Sequence, residues 1–447
     1  MIDQIFIGLN IFEDMFWGYI GVPLLMFVGL FLSFQSNFFQ IRKLPLIIRR
    51  FIALLKTPEH NERGIHPIKA FFAGVGGCVG VGNIAGICSA VQIGGPGALF
   101  WIWVTALVGM MVKYAEVYLG MRYRVPNNVG GYNGGPMYFL PHAFKAAWLP
   151  AVVCVLLCIY GVEVYQFALV TDSIVTNFEV NRYVVISVLL ALVIFAGAGG
   201  VRRVGNISSA IIPIFVLLYL GMGFWVLVNN FSAIPAVLQQ VFAAAFTGSA
   251  AVGGFVGGTL MLAISQGVRR GCYTGDLGVG YASVIHSESN QKVPQEQAIL
   301  AICDLFLDTF IICTTSIFII LVTDVWHQPI GAGMMVQTAL GNYFPYMNFF
   351  MPLFLFLLGY STINAYFCVG LKCAEFISPR LGKKVYYTYA CVALFTCSFV
   401  GVEQAQTVMT ISNGLLLLIN CWGIFRLRNQ ISYTLEEQQP VLIPTTQ

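Results

Sequence analysis

Two amide side chains, Asn83 and Gln166, interrupt long apolar stretches of the sequence. Each amide can donate a hydrogen bond to a carboxylate and accept one from an ammonium group. Because polar groups are costly in an apolar environment, both side chains should face the protein interior. For Asn83 we predict binding of a small zwitterion or an ion, whereas for Gln166 the residues alone leave this interpretation and its alternative equally open. The alternative is hydrogen bonding between helices, which contributes only about 0.6 kcal/mol on average.

Adjacent hydroxyls at Ser361 and Thr362 are a second candidate site. Hard cations prefer oxygen ligands, and hydroxyls combined with backbone carbonyls supply them. Hydroxyls in apolar helices more often bond their own backbone, so the residues alone leave both interpretations open.

Several ionisable residues also fall in or near apolar stretches, where a charge is a functional hypothesis by default. Lys113 and Glu116 are three residues apart and can share one helical face, which predicts a structural ion pair. Glu163 has two interpretations, because it can pair with Lys113 or accept a proton. The remaining ones are Asp172, Asp304 and Asp308.

The composition indicates the environment in which these groups work. The 447 residues are 58% hydrophobic and 9% charged, whereas soluble proteins devote about a quarter of their residues to charge. This predicts an all-α integral membrane protein. The net charge of +4 includes no basic cluster, so we expect no nucleic-acid partner. Five histidines and twelve cysteines form no ligand cluster or nucleophile arrangement, so we expect neither an enzyme nor a bound cofactor.

Apolar runs of about 20 residues, enough to cross a bilayer, predict eleven transmembrane helices. Three shorter segments, near 136 to 147, 233 to 246 and 330 to 344, should lie at the interface or re-enter the membrane. The predicted spans are 15 to 35, 67 to 93, 97 to 121, 148 to 172, 182 to 202, 206 to 230, 250 to 273, 297 to 323, 345 to 375, 385 to 401 and 405 to 425.

Nearly all of the 23 basic residues fall in alternate loops of this arrangement, Arg269 and Arg270 among them. Arg182 lies on the other side and Lys113 lies within a span. Since cytoplasmic loops are enriched in Lys and Arg, we expect the N-terminus outside and the C-terminus in the cytoplasm of a multi-pass plasma or bacterial inner membrane protein.

Glycines are concentrated in two spans. The second span contains Gly74, Gly76, Gly77, Gly80, Gly82 and Gly86, and the seventh opens with Gly253, Gly254, Gly257 and Gly258. Each glycine weakens a helix by about 1 kcal/mol relative to alanine, so both spans should unwind locally. Close helix packing is the alternative. Unwound backbone at membrane depth must line a cavity or be covered by protein, which predicts one polar cavity between the two breaks.

The broken spans begin successive sets of five helices, as in transporters built from inverted repeats. The predicted organisation is an N-terminal helix and basic loop (1–66), a first repeat (67–230), a second repeat with interfacial segments (231–425) and a cytoplasmic tail (426–447). At such breaks, exposed amides attract a carboxylate and freed carbonyls attract a cation.

The stretch from Gly80 to Arg124, GVGNIAGICSAVQIGGPGALFWIWVTALVGMMVKYAEVYLGMRYR, resembles the alanine or glycine:cation symporter family. Further matching motifs are FQIRKLP, GGPMYFL, FVGGTLMLAISQGVRRG, FLDT and SNGLLLLIN, so the similarity extends over nearly the whole chain. The resemblance implies a LeuT-like fold, in which one extra helix precedes a five-plus-five inverted repeat. It also implies uptake of alanine or glycine, in the D or L form, driven by Na⁺.

By the same resemblance, one set of residues lines a substrate pocket and another binds Na⁺. The substrate residues are Val81, Gly82, Asn83, Gln166, Phe255, Gly258, Thr259 and Tyr366. The Na⁺ ligands are Val79, Gly82, Ser361 and Thr362. The sequence departs from the family at Val81, Gly258 and Tyr366, and Thr274 to Gly278 stand where the family usually has SNEAG.

The expected partners are therefore a small neutral amino acid, Na⁺ and the lipid bilayer, with no obligate protein partner. A proton-coupled carrier and a carrier of another small solute are the main alternatives. A passive channel is less favoured, because selectivity filters usually arise from repeated loops in an oligomer. A sensor would need an output domain larger than the short tail.

Overall fold

The computed structural model describes residues 2–57, 63–197, 199–247 and 260–435, which are mostly α-helical. In the first third of the chain the helices are α1 (Ile2–Phe16), α2 (Val22–Gln35), α3 (Phe39–Arg42), α4 (Leu44–Leu55), α5 (Pro67–Cys78), α6 (Gly86–Gly94), α7 (Ala98–Arg122) and α8 (Pro136–Ala143). A π-helical turn at Trp17–Gly21 joins α1 to α2. The strands β1 (Val125–Pro126) and β2 (Tyr132–Asn133) form a small antiparallel hairpin.

The rest of the described chain is also helical. Its helices are α9 (Leu149–Tyr160), α10 (Val164–Phe178), α11 (Arg182–Gly197), α12 (Gly200–Asn229), α13 (Ile234–Thr247), α14 (Leu260–Thr274), α15 (Tyr281–His286), α16 (Pro294–Leu305), α17 (Thr314–Val322), α18 (Ala332–Gly341), α19 (Met347–Ile377), α20 (Gly382–Cys397) and α21 (Val402–Leu427). A π-helical stretch at Phe306–Cys313 joins α16 to α17.

Seven described segments are long and apolar enough to cross a membrane, and α5 with α6 forms an eighth that is bent by 55°. These eight coincide with eight of the predicted spans. The other three predicted spans are 182–202, 250–273 and 385–401. The first and last fall on the shorter helices α11 and α20, and the described part of 250–273 falls on α14. The segments predicted as too short to cross form α8, α13 and α18, of 8, 14 and 10 residues. The all-α membrane architecture is therefore confirmed.

A second interruption of the helices lies between α14 and α15. The predicted glycines, Gly253 to Gly258, fall outside the described residues. Within them, the chain leaves the helix after Thr274 and re-enters it at Tyr281. Asp276, Gly278 and Gly280 have φ values of +52°, +68° and +98°, so this backbone is left-handed and cannot continue a helix.

Helices α14 and α15 act as two halves of one membrane crossing, because both pack along α7 in the same direction. A Cβ placed on Gly267 would lie 2.6 Å from the carbonyl oxygen of Ala98, near the start of α7. A Cβ on Gly120, near the end of α7, would lie 2.7 Å from the Cβ of Ser283 in α15. Glycine is required at these positions because the backbones approach so closely.

This arrangement corrects the predicted location of Arg269 and Arg270. They lie inside α14 and are buried, rather than in a loop of the basic face. Arg269 Nη1 lies 3.1 Å from Glu13 Oε1 and 2.8 Å from Asp14 Oδ1, both in α1. The sequence could not indicate this burial, because the neutralising carboxylates come from the other end of the chain.

Candidate functional site

The first broken helix is held open by two amide side chains. Between α5 and α6, the backbone N–H of Gly80 donates to Asn83 Oδ1 at 3.0 Å, and the N–H of Val81 donates to Gln166 Oε1 at 3.1 Å. These donors would bond helix carbonyls if α5 continued. The amides replace those bonds, as buried backbone requires. The predicted unwinding of the second span is therefore confirmed.

The two breaks meet at a small closed chamber. A Cβ placed on Gly82, in the first break, would lie 3.6 Å from Thr274 Cγ2, beside the second. The chamber has a volume of about 10 Å³, which is about the space that one water molecule needs. Its lining residues are Gly77, Cys78, Gly82, Tyr160, Glu163, Gln166, Tyr273, Thr274, Asp276 and Tyr366.

Two carboxylates face this chamber, and none of the described residues that line it is basic. Glu163 and Asp276 are buried, and both have positive φ values, +51° and +52°. Tyr273 Oη donates to Glu163 at 3.3 Å, and Tyr366 Oη donates to Asp276. Non-glycine residues with this strained backbone are concentrated at functional sites. The chamber is therefore suited to a cationic group such as an ammonium.

Glu163 also interrupts a third span. It occupies the turn between α9, which ends at Tyr160, and α10, which begins at Val164. The predicted alternative in which Glu163 pairs with Lys113 is not realised, because Lys113 pairs elsewhere.

The predicted ion pair between Lys113 and Glu116 is wrong. Lys113 Nζ lies 2.6 Å from Asp304 Oδ2 in α16, and both side chains are fully buried. Glu116 instead accepts from the backbone N–H of Ser283 at 3.2 Å. Residues three apart on a helix can interact, but here a helix packed against α7 supplies a carboxylate at shorter range.

Cys78 connects this ion pair to the chamber. Lys113 Nζ donates to Cys78 Sγ at 2.8 Å, and the thiol lies 3.0 Å from Asp276 Oδ2. Lys113, Cys78 and Asp276 with Tyr366 thus form a continuous polar chain below the chamber. The sequence did not lead us to predict Cys78 or Asp276 as site residues, although a carboxylate between two glycines, Gly275 and Gly278, is a recognisable signal.

The hydroxyls predicted to bind Na⁺ face the end of α5. Thr362 Oγ1 donates to the carbonyl oxygen of Gly76 at 2.9 Å, and Ser361 Oγ lies 2.7 Å from Ser208 Oγ. The helix break removes the helical donor of the Gly76 carbonyl, because the N–H of Gly80 bonds Asn83, and the Thr362 hydroxyl takes its place. Hydroxyl and carbonyl oxygens of two helices therefore meet here, as a hard cation requires.

The predicted substrate residues divide into three groups. Gly82, Gln166 and Tyr366 line the chamber. Phe255, Gly258 and Thr259 lie outside the described residues. Val81 and Asn83 are buried next to the chamber but do not line it, and the same holds for Val79, which was predicted as a Na⁺ ligand. Asn83 donates to Asp308 and lies 3.2 Å from Cys313 Sγ, so its amide is directed away from the chamber.

A larger open cavity leads to one face of the molecule. Its volume is about 1230 Å³, and its lining includes Asn10, Asp14, Asp172, His327 and Glu403. Tyr165, at the inner end, packs edge-on against Tyr273 of the chamber with ring centroids 6.0 Å apart. We call this space the vestibule.

The opposite face is closed. Arg124 donates to the carbonyl oxygens of Ser287 at 3.1 Å and Gln291 at 2.6 Å, and Lys372 pairs with Glu288. A carrier that opens one side at a time needs such asymmetry.

Comparison with known proteins identifies the family. The family model described as the sodium:alanine symporter family matches residues 3–440. The chain belongs to this family. It is a cation-coupled amino-acid symporter of the membrane, and it is not an enzyme.

Named relatives are similar to this chain over most of its length. The sodium/alanine symporter AgcS of Methanococcus maripaludis is 28% identical, with 94% of each chain covered. The amino-acid carrier protein AlsT of Bacillus subtilis is 31% identical over 94% of this chain and 89% of its own. The crystal structure of MhsT in complex with L-phenylalanine has a TM-score of 0.61 and 14% identity, and covers 82% of this chain and 90% of MhsT. That likeness confirms the LeuT-like fold.

Proposed function

We propose that the protein imports a small neutral amino acid, alanine or glycine, together with Na⁺ by alternating access. The observation that carries the proposal is the chamber between two helix breaks, with carboxylates on one side and main chain on the other. The names of the family and of AgcS support the same solute and ion.

In this proposal, Glu163 and Asp276 face the ammonium group of the substrate. The carboxylate of the substrate faces Gly82. There the chain turns towards the N-terminus of α6, where the helix dipole favours negative charge. Gln166 can contact either group, since an amide both donates and accepts. The open vestibule corresponds to one of the two access states, and we propose that it faces the outside.

Na⁺ binds, in this proposal, between the carbonyls at the end of α5 and the hydroxyls of Ser361 and Thr362. Because the same break supplies a wall of the chamber, occupancy by Na⁺ stabilises the unwound backbone that the amino acid needs. This gives a physical basis for coupling, since each ligand raises the affinity for the other by the same factor.

The test is uptake of a panel of small amino acids into proteoliposomes containing the full chain, with and without an inward Na⁺ gradient. We expect alanine or glycine to accumulate only with the gradient. Accumulation driven equally well by a pH gradient without Na⁺ would assign H⁺ as the coupling ion. That outcome would favour Glu163 as proton acceptor, because no basic side chain of the described residues lies within ion-pair distance of it.

A variant of the first break sharpens this test. Asn83→Ala removes the acceptor for Gly80 N–H and the donor to Asp308, so we expect uptake to be abolished. Asn229→Ala is the matched control, since Asn229 is exposed and bonds only the preceding turn of α12. Equal uptake by both variants would contradict the role of the break.

A further inference from the structure

A buried arginine beside the chamber has donors without partners. Arg270 of α14 is 6% exposed, and among the described residues its Nε and Nη1 have no hydrogen-bond partner. The adjacent Arg269 differs, because it pairs with both Glu13 and Asp14. Arg270 lines the inner part of the vestibule. It lies one helical turn before Thr274 of the chamber, whose hydroxyl bonds the Arg270 carbonyl at 3.1 Å.

The nearby segment outside the described residues does not supply the missing charge. Residues 248–259, which precede α14, contain no Asp or Glu. A buried guanidinium without an anionic partner is costly, so its retention requires another source of negative charge. Glu13 lies within electrostatic range of Arg270 but forms its ion pair with Arg269.

A second donor and an acceptor without partners among the described residues also line the vestibule. Gln406 of α21 is 7% exposed, and its Nε2 has no partner among the described residues. A Cβ placed on Gly86, the first residue of α6, would lie 3.5 Å from this nitrogen and 3.0 Å from Tyr165 Oη. Gln266, one turn before Arg270, is 3% exposed and has an unpartnered Oε1. Donors for an anion and an acceptor for a cation are thus present together.

We propose that Arg270 and Gln406 form a vestibule site that binds the carboxylate of the amino acid before it enters the chamber. Gln266 Oε1 accepts from the ammonium group of the same molecule. An arginine and an amide suit a carboxylate, since the guanidinium can bind both of its oxygens. The inference rests on the proposed function and adds a recognition site that precedes the chamber.

Kinetics of uptake test the site. Arg270→Gln should raise KM for alanine by about tenfold and change kcat less than about twofold, since the variant loses capture of the substrate but keeps the chamber. Arg270→Lys should fall between, because it keeps the charge and loses the paired donors. Arg269→Gln removes the same charge one residue away, and should lower thermal stability without raising KM.

An unchanged KM in Arg270→Gln, or an equal rise in Arg269→Gln, would overturn the proposal. If Arg270→Gln does not fold, Gln406→Leu replaces it, with the same expected rise in KM.

A labelling experiment tests the site without relying on transport. Ser173 lines the vestibule and is not one of the proposed ligands of the carboxylate or of the ammonium group. In Ser173→Cys, propionate should slow labelling of the new cysteine by a charged methanethiosulfonate. The unsubstituted protein, labelled in parallel, gives the background from the native cysteines. Propionate carries the carboxylate of the amino acid and lacks its ammonium group. Adding Arg270→Gln should remove this protection.

The labelling result separates the two proposals. Protection by propionate in a protein that transports neither alanine nor glycine would reject the proposed substrate and keep a carboxylate site. Protection by chloride but not by propionate would overturn the inference, because the site would then be a halide site. Absence of protection by either anion would also overturn it.

Discussion

At the scale of single residues, the interior of the protein contains more charged side chains than helix packing requires. Lys113 and Asp304 form a fully buried pair, and Asp276 and Glu163 lie at the chamber. Buried ion pairs are often neutral in stability when compared with apolar residues, so stability alone does not explain them. Their connection through Cys78 to the chamber explains their position better.

The pairing of Lys113 gives a prediction about stability. Lys113→Met leaves Asp304 buried without its cation, so we expect a loss of about 3–5 kcal/mol. Adding Asp304→Leu should restore much of it, because the unpaired charge is removed. Thermal unfolding of the purified protein measures both effects. Adding Glu116→Gln instead should restore nothing, and rescue by that variant would mean that the helical neighbour is the true partner.

Glu163 gives a prediction about affinity. Glu163→Gln keeps an acceptor for Tyr273 but removes the charge that faces the ammonium group, so KM for the amino acid should rise about tenfold. Glu179→Gln is the control, because Glu179 has the same left-handed backbone, with φ of +53°, but lies exposed at the end of α10. Concentration dependence of uptake measures both, and equal KM values for the two variants would argue against ammonium binding at Glu163.

At the scale of elements, the function depends on the two interrupted helices. The first break has its own amide caps, Asn83 and Gln166. The second depends on left-handed backbone from Asp276 to Gly280. These different solutions explain why one break was easier to predict than the other.

A substitution in the second break tests its geometry. Gly280 has φ of +98°, and an added Cβ would clash with Pro136 Cγ, so Gly280→Ala should reduce both folded yield and uptake. Gly221→Ala is the matched control, since Gly221 lies inside α12 with no atom within 4 Å of an added Cβ. It should retain uptake and gain up to about 1 kcal/mol. Similar behaviour of the two variants would show that the left-handed turn is dispensable.

The sequence predicted the fold class and the first break, because glycine density and apolar length are local properties. The predicted break at Gly253 to Gly258 lies outside the described residues and stays a prediction. The interruption from Gly275 to Gly280 was not predicted, since these residues follow two arginines and look like the start of a loop. Packing of α14 and α15 on α7 and the pairing of Arg269 with Glu13 and Asp14 show that this segment is buried. Ion-pair partners such as Asp304 for Lys113 likewise depend on tertiary packing, which spacing along one helix does not contain.

At the scale of the whole molecule, the vestibule is open at one face and the other face is closed. We predict that the open face is outside the cell, in line with the basic loops of the closed face. Glu403→Cys, exposed on the open face, should react in intact cells with a membrane-impermeant maleimide. Lys384→Cys, exposed in the first turn of α20, should react only after the cells are opened. The reverse pattern would invert the orientation.

The most direct test of the account is the Na⁺ dependence of amino-acid uptake in Thr362→Val. This change keeps the shape of the side chain and removes the oxygen that faces the end of α5. We predict that the half-maximal Na⁺ concentration rises about tenfold or more, while Thr396→Val, on the exposed side of α20, keeps the original curve. An unchanged Na⁺ curve in Thr362→Val, or uptake that needs no Na⁺, would contradict a cation site at the first helix break.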